Sequence, residues 1–115
     1  MEQDKEIEKL QKQIDQLYEN DGKIMKQKED QLAKDWEKIS KWFNIESTKA
    51  GAIGNEIHRN RRIDRINEQY EKRTEELGKR GEKLDEEKIK SEERMNQKIN
   101  EIYEKIDRIR NRQKD

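Results

Sequence analysis

Residues 99–109 read INEIYEKIDRI, and their four isoleucines recur at spacings of three and four. Apolar residues continue at these spacings on either side, from Ile7 to Phe43 and from Ile63 to Ile109. A stripe of about two positions in every seven is typical of a helix that packs against another helix. The sequence therefore predicts an all-α fold made of two long helices.

The composition favours extended helices over a globular core. Of the 115 residues, 49% are charged and 27% are hydrophobic, and none is proline. The 28 basic and 28 acidic residues balance, and the apolar residues are periodic. Balanced charge and periodicity together indicate a long helix or coiled coil, whereas disordered chains are aperiodic.

The periodic segments set the expected boundaries. We expect helix 1 over residues 1–43, a connector or short helix over residues 44–56, and helix 2 over residues 57–113. The connector gathers Gly, Ser, Thr and Asn, and Ser47 or Thr48 could cap a helical turn within it.

Glycines within the two stripes raise the possibility of breaks. Gly22 follows Asn20 and Asp21 in helix 1, and Gly78 and Gly81 lie in helix 2. A single glycine costs a helix only about 1 kcal/mol relative to alanine. We therefore expect each helix to continue through its glycines.

The charge distribution predicts an antiparallel hairpin. Residues 1–22 carry three lysines and seven acids, a balance of 3 − 7 = −4, and residues 105–115 carry five basic and two acidic residues, a balance of 5 − 2 = +3. A hairpin brings these opposite ends together, and such exposed charges select orientation. A two-helix seam leaves its apolar residues half exposed, so we expect an antiparallel homodimer forming a four-helix bundle. A parallel coiled coil of extended chains is the alternative.

Several classes of function are not expected. The chain has no cysteine, one histidine and few hydroxyl residues, so we predict no enzyme, no cofactor and no metal site. Its first residues contain no apolar run, and no segment approaches about 18 consecutive apolar residues, so we expect no signal peptide and a cytoplasmic protein without membrane association.

The largest group of bulky apolar residues lies near the end of helix 1 and consists of Trp36, Ile39, Trp42 and Phe43. It allows two interpretations: a plug that closes the hairpin bend against Ile45, Ile53 and Ile57, or an exposed anchor for a protein partner. On the second interpretation, the sequence predicts a coiled-coil interaction or assembly protein that self-associates and docks a partner through the Trp36–Arg65 end. Such proteins serve as adaptors, scaffolds or inhibitors of larger machines. The predicted partner-binding residues are Trp36, Trp42, Phe43 and His58.

A basic cluster near the start of helix 2 supports an alternative function. Arginines in the first turns of a helix are disfavoured by the helix dipole, which favours acidic residues there. Binding to the phosphates of a nucleic-acid backbone would explain their presence. Neutralisation by Glu56, Asp64 or acids of a neighbouring copy is the competing explanation. The predicted nucleic-acid contacts are Arg59, Arg61, Arg62 and Arg65.

Residues 50–59, AGAIGNEIHR, resemble the opening strand-loop motif of plasmid mobilisation and recombination proteins. Glu56 stands where that family tends to carry histidine, and the rest of its catalytic domain is missing. The resemblance does not identify a family, and it implies at most an origin in a phage or mobile element.

Overall fold

The computed structural model describes the backbone of residues 2–114 and the side chains of residues 2–112. Helix α1 spans Glu2–Gly51 and helix α2 spans Glu56–Lys114, and the described residues contain no strand. The two helices pack against each other, which confirms the all-α fold and the helical hairpin. Within the described residues, neither helix contains a segment long and apolar enough to cross a membrane.

Side-chain contacts between the helices run in antiparallel order. The Ser91 hydroxyl donates a hydrogen bond to Asp21, and Glu46, later in α1, is paired with Arg62, earlier in α2. A residue later in α1 therefore pairs with a residue earlier in α2, as an antiparallel pair of helices requires.

Helix α1 continues through most of the segment expected to be a connector. It ends at Gly51, beyond the expected boundary at Phe43. Ala50 is only 1% exposed, so the buried face of α1 extends to Ala50 although the large apolar residues end earlier in the helix. Hydrogen bonds from Ala52 N to Lys49 O at 3.2 Å and from Ile53 N to Ala50 O at 3.1 Å close the last turn. Residues 44–51 lose apolar bulk, but they contain no proline to break the helix.

Helix α2 is capped at Asn55, and Ser47 and Thr48, which were expected to cap a separate helical turn in the connector, lie inside α1. The N–H of His58 donates a hydrogen bond to Asn55 Oδ1 at 3.1 Å, which is the geometry of an N-cap. The Thr48 hydroxyl instead donates to the Asn44 carbonyl at 2.8 Å, within α1. The loop is thus reduced to residues 52–55, and the segment that resembles the mobilisation motif contains no strand.

The glycines do not interrupt either helix. Gly22 lies inside α1, and Gly78 and Gly81 lie inside α2. None of the glycines that the structure describes has a positive φ. The expectation of two unbroken helices is therefore confirmed.

The hairpin divides into two compact halves, which we call the terminal half, residues 1–27 and 86–115, and the loop half, residues 28–85. In the terminal half, Ile14 packs against buried isoleucines of the opening stretch. These are Ile99, Ile102 and Ile106. In the loop half the buried residues are Ala50, Ile66 and Leu77.

Candidate interaction site

The aromatic residues near the end of α1 pack against α2. The guanidinium carbon of Arg73 lies 4.2 Å from the ring centroid of Trp42. The ring centroids of Phe43 and Tyr70 lie 4.3 Å apart, with the ring planes inclined by 35°. Both residues of α1 are partly buried. They therefore help to hold the helices of the loop half together by aromatic and cation–π contacts.

Two of the three isoleucines expected to close the hairpin bend as a plug are largely exposed. Ile45 is 55% exposed and Ile57 is 65% exposed. Ile53 is partly buried. The contacts of Trp42 and Phe43 come from the body of α2, several turns beyond the loop.

The other two predicted partner-binding residues remain accessible. Trp36 is 37% exposed, and His58 is exposed in the first turn of α2. Trp36 precedes Gly51 by 51 − 36 = 15 residues, which places it about 22 Å along α1 from the loop. The four predicted residues therefore do not form one surface. Trp42 and Phe43 pack between the helices, Trp36 lies on α1 away from the loop, and His58 lies beside the loop.

Arg62 is neutralised by an acid that the sequence analysis did not select. Its Nη2 lies 3.2 Å from Glu46 Oε2, and the Glu46 side chain is only 20% exposed. Lys49 Nζ lies 3.8 Å from the other oxygen of the same carboxylate. The antiparallel register is the signal that could have identified Glu46, because it brings this part of α1 opposite the start of α2.

Arg61 and Arg65 remain exposed, whereas Arg59 is partly buried. His58 precedes Arg61 and Arg65 by three and seven residues, so the three side chains share one face of α2. We call these three residues the basic face. Asp64 and Glu68 follow Arg61 by three and seven residues, so they lie beside or on this face and reduce its net charge.

A further ion pair stabilises the loop half. Arg80 Nη2 lies 2.8 Å from Asp35 Oδ2, and Gln31 Nε2 donates to Asp35 Oδ1 at 3.1 Å. The hydrogen bond from Arg80 holds the pKa of Asp35 below its usual value, because it favours the ionised carboxylate. The pair is partly solvent-exposed, so it contributes to register more than to stability.

The terminal half contains a groove that the sequence analysis did not predict. Two adjacent cavities of about 360 and 320 Å³ lie between α1 and α2 and share Gln13 and Lys105 as lining residues. We call this pair of cavities the terminal groove. Its apolar lining residues are Leu10, Leu17, Ile102 and Ile109. Its charged lining residues are Glu6, Lys9, Lys98, Glu101, Lys105, Arg108 and Arg112.

Among the described side chains, no group of three or more His, Asp or Glu residues could hold a metal ion. Comparison of the chain with protein-family models, curated proteins and solved structures gives no match. The inferences that follow therefore rest on the geometry of the hairpin.

Proposed function

We propose that this protein is a non-enzymatic interaction or assembly protein, which self-associates and docks a protein partner through its loop half. The supporting observation is that many of its large apolar side chains stay exposed. Each of seven such residues has at least 37% of its surface accessible. They are Tyr18, Ile24, Trp36, Ile45, Ile57, Ile89 and Tyr103.

The thin core supports the self-association part of this proposal. Among the described residues, nine hydrophobic side chains are buried and no polar or charged side chain is buried. Burying an apolar side chain stabilises a fold by about 1.5–3 kcal/mol, and ordering each residue costs about 1–2 kcal/mol. A second copy would cover apolar surface that one hairpin leaves in water, and this is a direct route to a more stable fold.

The loop half offers two surfaces to a partner. Trp36 supplies a large aromatic side chain of the kind that dominates protein interfaces. The basic face supplies two exposed guanidinium groups beside His58. We infer a partner with an acidic surface, in the role of an adaptor, scaffold or inhibitor of a larger assembly in the cytoplasm.

Affinity purification from the native cell tests the docking surface. We expect the wild-type protein to retrieve a partner that the Trp36→Ala, Arg61→Ala double variant loses. Arg94→Ala, at an exposed position in the terminal half, serves as the matched control and should retain the partner. If the double variant and the control retrieve the same proteins, the proposed surface is wrong.

Sedimentation equilibrium tests self-association separately. We expect a dimer at micromolar concentration. A monomer throughout the accessible concentration range would refute this part of the proposal.

A nucleic-acid accessory function is the second candidate. It is favoured by the exposure of Arg61 and Arg65, for which the described residues provide no ion pair. Binding to duplex DNA or RNA should then weaken with added salt and on changing both arginines to alanine. Glu46→Gln should strengthen binding, since it releases Arg62 from its carboxylate partner. Undetectable binding at low salt would eliminate this function.

A further inference from the structure

One flank of α1 carries no charge between residues 10 and 27, although half of the chain is charged, and its first four residues line the terminal groove. Its residues follow one another at spacings of three and four, which is the pattern of a helix–helix seam. We call these residues the uncharged strip. They are Leu10, Gln13, Leu17, Asn20, Ile24 and Gln27.

The strip forms the edge of the seam that α2 covers, because Leu10 and Leu17 pack against the buried isoleucine core cluster of the terminal half. Ile14 and Met25 are buried on the neighbouring face of α1. Leu10 and Leu17 are only partly buried, and Ile24 is 51% exposed. Leu10 and Leu17 pack against the core cluster on one side and stay open on the other, so α2 covers this edge of α1 only in part. A partly covered apolar edge is expected of a helix that contacts more than one neighbour in a bundle.

The groove favours an acidic helix as its occupant. The α2 side of the groove carries Lys98, Lys105, Arg108 and Arg112 against Glu101, a balance of 4 − 1 = +3. Residues 1–22 carry a balance of −4. Residues 1–22 of another molecule therefore complement the α2 side of the groove in charge.

We propose that the terminal groove receives α1 of a second copy of this chain, so that the two uncharged strips pack against each other in parallel and in register. This inference rests on the self-association proposed above and specifies its surface. In a symmetric dimer each groove would receive the α1 helix of the other copy.

The amides of the strip determine the orientation. In a parallel, in-register pair each amide meets its own counterpart, so Gln13 meets Gln13 and Asn20 meets Asn20. Buried amides can then hydrogen-bond to each other, and the apolar layers of Leu10, Leu17 and Ile24 alternate with them. An antiparallel pair would set Asn20 against Leu17 and leave amides facing apolar groups, which is costly. The proposed orientation differs from the antiparallel dimer expected from the sequence.

Charge substitution tests the surface. Ile24→Glu places two like charges at the dimer axis and should raise the dimer dissociation constant at least 100-fold in sedimentation equilibrium. The isolated hairpin should retain its helical circular dichroism, because Ile24 is already half exposed. Lys26→Glu, on the opposite face of α1, is the matched control and should change the dissociation constant less than about threefold.

Crosslinking tests the orientation, and the absence of native cysteine makes single-cysteine variants unambiguous. Asn20→Cys should link to itself in high yield with a short bis-maleimide, and Lys26→Cys should not. Efficient linking in a mixture of Leu17→Cys and Asn20→Cys, without self-linking of either, would overturn the parallel arrangement.

The outcomes separate this inference from the proposed function. A wild-type dimer that Ile24→Glu leaves intact, with no self-linking of Asn20→Cys, would overturn the groove as the interface and leave self-association standing. A wild-type monomer at all concentrations would overturn both.

Discussion

Replacing Gly81 with alanine should stabilise the hairpin. Gly81 lies inside α2, where glycine is less favourable than alanine by about 0.8–1.0 kcal/mol. A Cβ at this position would lie 3.6 Å from Leu32 Cδ2 of α1, which is an ordinary van der Waals distance. The new methyl group therefore adds a contact between the helices without requiring any movement.

The magnitude follows from these two contributions. A fully buried methylene is worth about 0.8 kcal/mol, and position 81 is partly buried, so the contact should add a fraction of that value. We expect a gain of about 1–1.5 kcal/mol in the free energy of unfolding. For a chain of this size, the gain corresponds to a rise in Tm of about 4–6 °C.

Urea and thermal unfolding, followed by circular dichroism at one fixed protein concentration, would measure the gain. Gly78→Ala is the matched comparison, because a Cβ there meets nothing within 4 Å. It should show the helix-propensity gain of about 1 kcal/mol alone. Ala33→Gly, at an exposed position of α1, should destabilise by about the same amount.

A double-mutant cycle isolates the new contact. In a Leu32→Ala background, Gly81→Ala should stabilise no more than Gly78→Ala does. If Gly81→Ala destabilises the protein, the close approach of α1 and α2 at this position is wrong.

Three further predictions concern the loop half. Asn55→Ala should lower the free energy of unfolding by about 1 kcal/mol in urea unfolding, because it removes the cap of α2. Trp42→Ala should destabilise the protein and shift the NMR signals of the Arg73 side chain, since it removes the ring that the guanidinium covers. The Asp35–Arg80 pair should stabilise the fold above the ordinary carboxylate pKa of about 3.9 and lose its effect as the pH falls below it, because the folded-state pKa is the lower one. The difference in urea midpoint between wild type and Asp35→Asn should therefore shrink below about pH 4.

Each of these three predictions has its own control variant or refuting result. Asn60→Ala, an exposed position of α2, should have little effect beside Asn55→Ala, and an equal loss from both would refute the cap. Trp36→Ala should destabilise the protein less than Trp42→Ala does. If it destabilises the protein more, the assignment of Trp42 as the packed ring and Trp36 as the exposed ring is wrong. A constant difference between wild type and Asp35→Asn from pH 7 to pH 3 would exclude a contribution from the ionised pair.

Much of the fold could be predicted from the sequence because helical period is a local property. Isoleucine at positions 99, 102, 106 and 109 requires a helix to gather these residues on one face, and all four are buried. Continuity through Gly22 and Gly81 was likewise predictable, since the cost of one glycine is small beside the cooperativity of a long helix.

The tertiary structure decided the features that depend on register between the helices. Arg62 pairs with Glu46, which lies 16 residues away in sequence, and Trp42 is covered by Arg73. No local pattern specifies which residues of α2 oppose a given turn of α1.

The terminal groove has the same origin. The period of α1 marks Leu10 and Leu17 as seam residues, but only packing against α2 shows that both stay partly uncovered. Sequence by itself determined that the chain forms two helices with apolar stripes, because each residue's face follows from its spacing. The structure determined where those stripes meet and what they leave exposed, because burial depends on contacts between segments distant in the chain.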